Sequence, residues 1–387
     1  MRDKHGILIN RILTTHAGRL DGPPELSDML RLSRTAPLDP QKAAAIVPQA
    51  IIDIVKRQKD TGLDIVSDGE LGKLGFNLAY YGKRLAGLSS RKMKEGEPGW
   101  MSLRTGEGIE FAEFYKTLSW GAPSERVIVS GPISYIGQVE VAADIERMKR
   151  ALDAAGLKAS DAFMCVLAPG WLEHFFFNEY YKTDEEYLFA LADAIGHEYR
   201  AIVNAGFTLQ IDDPALPDTY DMIVPAPPID EYRKFARVRV DAVNHALTGI
   251  PSDRVRFHIC WGSWHGPHTH DLPFKHVVDL MLMVNAGAYS VEGANPRHEH
   301  EWKIWKEATL PDDKVLIPGV ISHATDVVEH PELVADRIIR YAGIVGRERV
   351  IAGTDCGLGL RVHPQIAWAK LSTLVEGARL ASRQLWS

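Results

Sequence analysis

His258-Ile259-Cys260 is the most chemically loaded tripeptide of the chain. In a β-strand, residues two apart point to the same face, so His258 and Cys260 can grip one metal ion together. Glu292 closes the next strand-like run and Cys356 follows the last, which adds an oxygen and a second sulfur. A zinc ion accepts such a mixed N, S, O, S set in tetrahedral geometry at about 2.0–2.3 Å. Read singly, each residue has a plainer role: a hydrogen-bonded histidine, a packed thiol, an ion-pair partner of Arg297. Their joint placement at successive strand ends favours the metal reading.

Further reactive residues stand at strand ends. Glu70 and Asp212 are candidate contacts for a substrate ammonium, candidate general acids or bases, or orienters of a metal-bound histidine. Asp68 and Asp213 beside them read as turn-capping residues. His265, His268, His270, His298 and His300 form a rival cluster, but they fall on loops, where substrate contact or solvation is the simpler role. Trp171, Phe175–Phe177, Tyr180, Tyr181, Trp261 and Trp264 follow two neighbouring strand ends and could form one flat apolar wall. The glycines of Gly353–Gly359 match neither a Walker loop nor a dinucleotide fingerprint.

These side chains need a scaffold that brings distant strand ends to one rim. Short β-branched runs at Leu8–Thr15, Asp64–Ser67, Val127–Ser130, Ala162–Leu167, Thr208–Ile211, Val255–Cys260, Ala288–Glu292, Val315–Val320 and Val350–Gly353 alternate with helical patterns. The helical stretches are Pro40–Lys59, Thr183–Ala205, Ile229–Leu247, Phe274–Asn285 and Pro331–Val345, with Gly62, Gly206 and Gly287 placed to end helices just before strands. The alternation predicts an α/β protein, a (β/α)8 TIM-type barrel with an inserted loop or hairpin, whose active site lies at the C-terminal strand ends. Residues 1–387 read as a single domain, with the insertion at about 88–135. The Gly- and Pro-rich stretch Leu88–Pro123 is expected to form a lid, and Val127–Ser130 to be a peripheral strand outside the ring.

Composition narrows the partners. With 44 Lys+Arg against 51 Asp+Glu the chain has formal charge -7, so no basic field holds a polyanion and nucleic acid is not expected. The start of the chain lacks the apolar core of a signal peptide, and no window approaches the roughly 20 apolar residues of a membrane span. Three widely spaced cysteines argue for reduced thiols and a cytoplasmic protein. Homo-oligomerisation is left open.

The ordered set Thr14-Thr15-His16-Ala17-Gly18, Asp68-Gly69-Glu70, Gln210-Ile211-Asp212-Asp213-Pro214-Ala215-Leu216, His258-Ile259-Cys260, Ser290-Val291-Glu292 and Asp355-Cys356-Gly357-Leu358 resembles the C-terminal barrel of the cobalamin-independent methionine synthases, in its short form. The related epoxyalkane:coenzyme M transferases share that zinc barrel. The resemblance implies that His258, Cys260, Glu292 and Cys356 hold zinc, that Glu70 and Asp212 face the ammonium of the thiol substrate, and that Trp171 lines the donor side. Arg19 stands where those synthases have serine against the amino-acid carboxylate. It could clamp a carboxylate or a sulfonate. The short form lacks the N-terminal domain that full-length members use for polyglutamyl folate, so folate as donor is not implied.

The expected function is zinc-dependent alkyl transfer, above all methyl transfer, from a small-molecule donor to a small thiol, with His323, His16 or a loop histidine as the acid. Thiol addition to an epoxide keeps the same nucleophile and is the alternative. Zinc-dependent hydrolysis ranks lower, because two thiolates weaken the Lewis acid. A non-catalytic zinc barrel that binds a small molecule is the reading from another class.

Overall fold

The protein is described from a computed structural model that covers residues 10–32, 39–74, 76–95, 97, 105–117 and 125–387. Its strands are β1 (Leu13–Thr14), β2 (Leu85–Lys92), β3 (Glu125–Tyr135), β4 (Phe163–Leu167), β5 (Phe177–Asn178), β6 (Thr208–Asp212), β7 (Val255–His258), β8 (Ala288–Val291), β9 (Val315–Ile321) and β10 (Ile351–Thr354). Seven of them form one parallel sheet in the order β1-β10-β9-β8-β7-β6-β4.

The eighth position belongs to residues 64–66. The Asp64 and Ile65 amides both donate to Thr14 O at 3.1 Å, while the Val66 amide donates to Asp161 O and the Phe163 amide to Val66 O, each at 3.0 Å. Val66 pairs in parallel with Ala162, which closes the sheet on itself as a (β/α) barrel of eight positions. Every residue of β4, β7 and β9 is buried, as parallel strands covered by helices require. Inside the ring, the buried Arg256 guanidinium donates to Thr15 Oγ1 at 3.0 Å and His16 O at 2.9 Å.

Helices enter the strands where the punctuation residues direct. Asp39 caps the helix Pro40–Thr61, and Gly62, at φ 99°, ends it in the left-handed conformation that glycine adopts without a Cβ penalty. Thr183 caps Asp184–Asn204 by accepting from the Glu186 amide. Gly287 departs from expectation: its φ is not positive, and the need for glycine is steric, because a Cβ would lie 2.8 Å from Ser252 O. The expected helix Phe274–Asn285 is two short pieces, Phe274–His276 and Val278–Leu282.

Two long helices, Gln138–Ala155 and Pro364–Leu385, lie outside the helical stretches expected from the sequence. Each hides a charge in its apolar stripe, which blurs the helical period. Asp144 in the first pairs with Arg84, and the fully buried Lys370 in the second lies 2.9 Å from Glu329.

Around the insertion, β2 and β3 form an antiparallel hairpin to which β5 adds, so Val127–Ser130 lies outside the ring. Leu8 and Ile9 and most of the insertion's punctuation residues, such as Gly99 and Gly121, fall outside the described residues. The short helices Thr105–Glu110 and Ala112–Thr117 of the insertion reach the loop after β7, where Glu107 Oε1 accepts from the Thr269 amide at 2.7 Å. Among the described residues, no helix is long and apolar enough to cross a membrane.

Candidate metal centre

β7 ends at His258, but the Ile259 amide still donates to Ser290 O at 3.0 Å, so the pairing continues one residue further and Cys260 comes to the same side as His258. Cys356 follows β10, whose end is tied to β9 by the Asp355 amide on Ile321 O at 2.9 Å. Ligand atoms of His258, Cys260 and Cys356 all lie within 4.8 Å of one another, and the two sulfurs are 3.8 Å apart. Two sulfurs each about 2.3 Å from a tetrahedral zinc ion would be separated by about 3.8 Å.

The histidine is equally prepared. His258 Nδ1 lies 3.0 Å from Ser290 Oγ, its register partner on β8, while the buried Nε2 has no hydrogen-bond partner. A ring fixed through one nitrogen with the other left open is the usual state of a metal-ligating imidazole. The residues present therefore fit zinc.

The two thiols differ in acidity. Cys356 is held well below the usual thiol range by its hydrogen bond with Cys260 and by His258, against the effect of burial. That same hydrogen bond, reinforced by burial, pushes Cys260 well up. Thiolate character is what a metal ligand needs.

Glu292, the fourth residue expected around the ion, stands outside this trio and groups instead with His323 and Asp355. Its Oε1 accepts from the Trp261 amide at 3.0 Å, and Asn295 Nδ2 donates to Oε2. Asp355 fastens the same corner by accepting from the Gly293 and Ala294 amides at 2.7 and 2.9 Å. Burial pushes Glu292 well above the carboxylate range and Asp355 up to about 6. The influence of Glu292 reaches Cys260, so it adjoins the trio from one side.

A second cluster occupies the neighbouring part of the rim. Glu70, Asp212 and Cys165 offer ligand-type atoms within 4.8 Å of one another. Asp212 is in register with His258 on β7, and its Oδ1 accepts from Gln210 Nε2 at 2.6 Å. Burial raises Asp212 to about 6, with Glu70 adding and His258 opposing. Glu70 is also pushed up by burial, yet Lys73 and Arg19 outweigh that and hold it below its usual value. Asp68 caps the Glu70 turn, accepting from the Glu70 amide at 2.9 Å.

The two named acid candidates differ. His16 Nε2 is engaged by Gln58 Oε1 at 2.9 Å and Ser67 Oγ at 3.2 Å, in the barrel interior. His323 sits beside Glu292 and Asp355 with Nδ1 unpartnered. Burial lowers both to about 4. Two loop histidines are committed elsewhere, with Asp271 joining His268 at 2.8 Å to His298 at 3.0 Å and His298 also meeting Glu301 at 2.8 Å, whereas His265 Nε2 lies 3.4 Å from His323 O.

The expected aromatic wall is not one surface. Trp171 is buried in the short helix Pro169–Leu172 against His174 and Phe175, Trp261 stacks on His298 at 3.9 Å, and Trp264 on His268 at 3.7 Å. Each ring finds a local partner. Sequence reasoning missed Cys165, Lys73, Asn295 and the roles of Ser290 and Asp355. Ser290 alone had a readable signal, as a polar residue directly across from His258 once β7 and β8 are aligned.

The geometry defines a (β/α) barrel with a sulfur-rich ligand trio at its C-terminal mouth. No protein-family profile matches the chain. It is 24% identical over 377 residues to a methionine synthase of Thermococcus kodakarensis, covering 96% of this chain and 94% of that protein. The methionine synthase of Sulfolobus acidocaldarius is 23% identical over 96% of this chain and 93% of its own length. A solved B12-independent methionine synthase from Shewanella sp. W3-18-1, in complex with selenomethionine, superposes with a TM-score of 0.74 at 19% identity, covering 97% of this chain and 99% of that one. The chain is thus similar to methionine synthases over nearly its whole length, as its motifs suggested.

Proposed function

We propose that the chain is a zinc-dependent methyltransferase of the methionine synthase type, passing a methyl group from a small-molecule donor to a homocysteine-like thiol. The observation that carries this reading is the trio His258, Cys260 and Cys356, with an open Nε2 and a 3.8 Å sulfur pair. Methionine synthases stand as relatives at full length, which supports the reaction class. Glu292 is the fourth candidate ligand from the adjoining corner. Bound there, zinc would supply the positive charge that lets an incoming thiol ionise near neutral pH, well below its free value of about 8.5.

The chain's own residues do the rest. Ser290 orients the His258 ring, and the Trp261 amide and Asn295 hold Glu292. In the transfer the S–C bond forms as the donor–methyl bond breaks, so the thiol proton must leave and the donor's leaving group must gain one. His323, neutral at pH 7 and beside the trio, is placed to take the first proton and return it to the leaving group; His16 is spent on Gln58 and Ser67. Arg19, Glu70, Asp212 and Trp171 bind the substrates. Three free thiols support a cytoplasmic setting, and the whole chain acts as one catalytic unit.

The test is X-ray absorption at the zinc edge of the loaded protein, before and after adding homocysteine, paired with a screen of 5-methyltetrahydrofolate, methylcobalamin and S-methylmethionine as donors. A new sulfur neighbour and a methylated thiol product are expected. An unchanged sulfur count with turnover absent would instead favour a non-catalytic zinc barrel.

A further inference from the structure

His323 is carried by the loop between β9 and the helix Pro331–Val345, and apolar packing does little to hold that loop. Ala324, Asp326, Val327 and Val328 are exposed, and Thr325 is half-buried. Val327 keeps 70% of its surface in water. Between His323 and Pro331 the one buried side chain is a carboxylate, Glu329. An acid is a costly anchor for a loop unless its charge is met.

Here it is met from two directions. Lys370, wholly buried on the helix Pro364–Leu385, places Nζ 3.1 Å from Glu329 Oε1 and 2.9 Å from Oε2, and the same Nζ donates to Val327 O at 2.6 Å. Glu329 Oε1 also accepts from the amide of Ser322, the residue before His323, at 2.8 Å. On the other side of His323, the Ala324 amide donates to Ser322 Oγ at 3.1 Å. The backbone is therefore pinned on both sides of the histidine, whereas the ring has no hydrogen-bond partner at Nδ1.

The helix that bears Lys370 follows the Cys356 loop, so the ion pair ties the wall with the acid candidate to the wall with a candidate ligand. We infer that Glu329 and Lys370 are positioning residues for proton transfer: Lys370 fixes the Glu329 carboxylate, Glu329 fixes the Ser322 amide, and His323 is thereby held beside Glu292 and Asp355. This rests on the methyltransferase reading, in which His323 handles the proton.

Removing one partner alone strands a buried charge, so paired replacements are the useful ones. Lys370→Met with Glu329→Leu removes both the pair and the acceptor for the Ser322 amide, while Lys370→Met with Glu329→Gln removes the charges and keeps an amide oxygen in place. The zinc-loaded variants are compared with the wild type in homocysteine methylation from 5-methyltetrahydrofolate, methylcobalamin and S-methylmethionine, each also in a His323→Ala background, with hydrogen exchange at the Ser322 amide followed alongside. The leucine pair should lower kcat about tenfold or more, leave zinc content and the KM for homocysteine within about twofold, and speed exchange at Ser322. Once His323 is alanine, the same pair should cost nothing further, and the glutamine pair should recover most of the lost kcat. If the leucine pair does not fold, Glu329→Asp, which withdraws the carboxylate by one methylene, takes its place with a loss of about threefold that also vanishes in the His323→Ala background. An equal loss with and without His323, or full kcat while the Ser322 amide exchanges freely, would overturn the positioning role and leave methyl transfer intact. If the wild type methylates homocysteine from none of the three donors, the methyltransferase reading fails and takes this role with it.

Discussion

The two clusters at the barrel mouth are built on neighbouring strands yet use their buried acids differently. On the β7 and β10 side, the open atoms are acceptors: His258 Nε2 and the paired sulfurs of Cys260 and Cys356. On the β1 side, Arg19 Nη1 is buried without an acceptor, while Lys73 Nζ is paired with Glu70. The same residue class, a buried acid, accordingly plays two parts: Glu292 adjoins a metal site, whereas Glu70 is neutralised by a lysine.

Removing an acceptor from the first cluster breaks this contrast most severely. Cys356→Ala should abolish stoichiometric zinc, read by metal analysis, and turnover with it. Retained zinc and turnover would exclude Cys356 as a ligand.

The second cluster responds to pH. Asp212 titrates near 6 in the folded protein against 3.8 for the free side chain, so the folded state holds its proton more firmly. Asp212 therefore contributes no penalty below pH 3.8, and stability falls as pH rises through 6. Asp212→Asn in the metal-free protein should gain on the wild type between pH 4 and pH 7 by on the order of 3 kcal/mol, measured by denaturant unfolding at each pH. An unchanged difference across that range would show that Asp212 ionises freely and that its site is not dry.

A gentler change sharpens the contrast. Ser290→Ala leaves all the ligands in place but frees the His258 ring, and zinc affinity should fall by about 10–100-fold in a chelator competition. An affinity within twofold of the wild type would make Ser290 a packing residue only.

How much of this was legible follows the same division. His258 and Cys260 were readable because strand spacing dictates a shared face, and Cys356 because it follows a β-branched run. The barrel itself announced its strands through Val- and Ile-rich runs such as β9. The Glu70 side was opaque. Lys73 lies in a turn whose path depends on the left-handed Glu70, at φ 56°, and no local pattern predicts that it folds back onto Glu70. Cys165 reads as an ordinary apolar residue within β4, and its neighbours become visible only when β6 is laid beside it in register. The helices Gln138–Ala155 and Pro364–Leu385 escaped because tertiary ion pairs compensate Asp144 and Lys370, and such compensation leaves no trace in a periodicity.

The lacing of the barrel wall differs around its circumference. β6, β7, β8 and β9 are joined through three or four register pairs at each border, whereas residues 64–66 are held to β4 through a single bridge and to β1 through two amides on one carbonyl. The borders under His258 and Cys260 are thus laced more closely than the seam under the turn that carries Glu70 and Lys73.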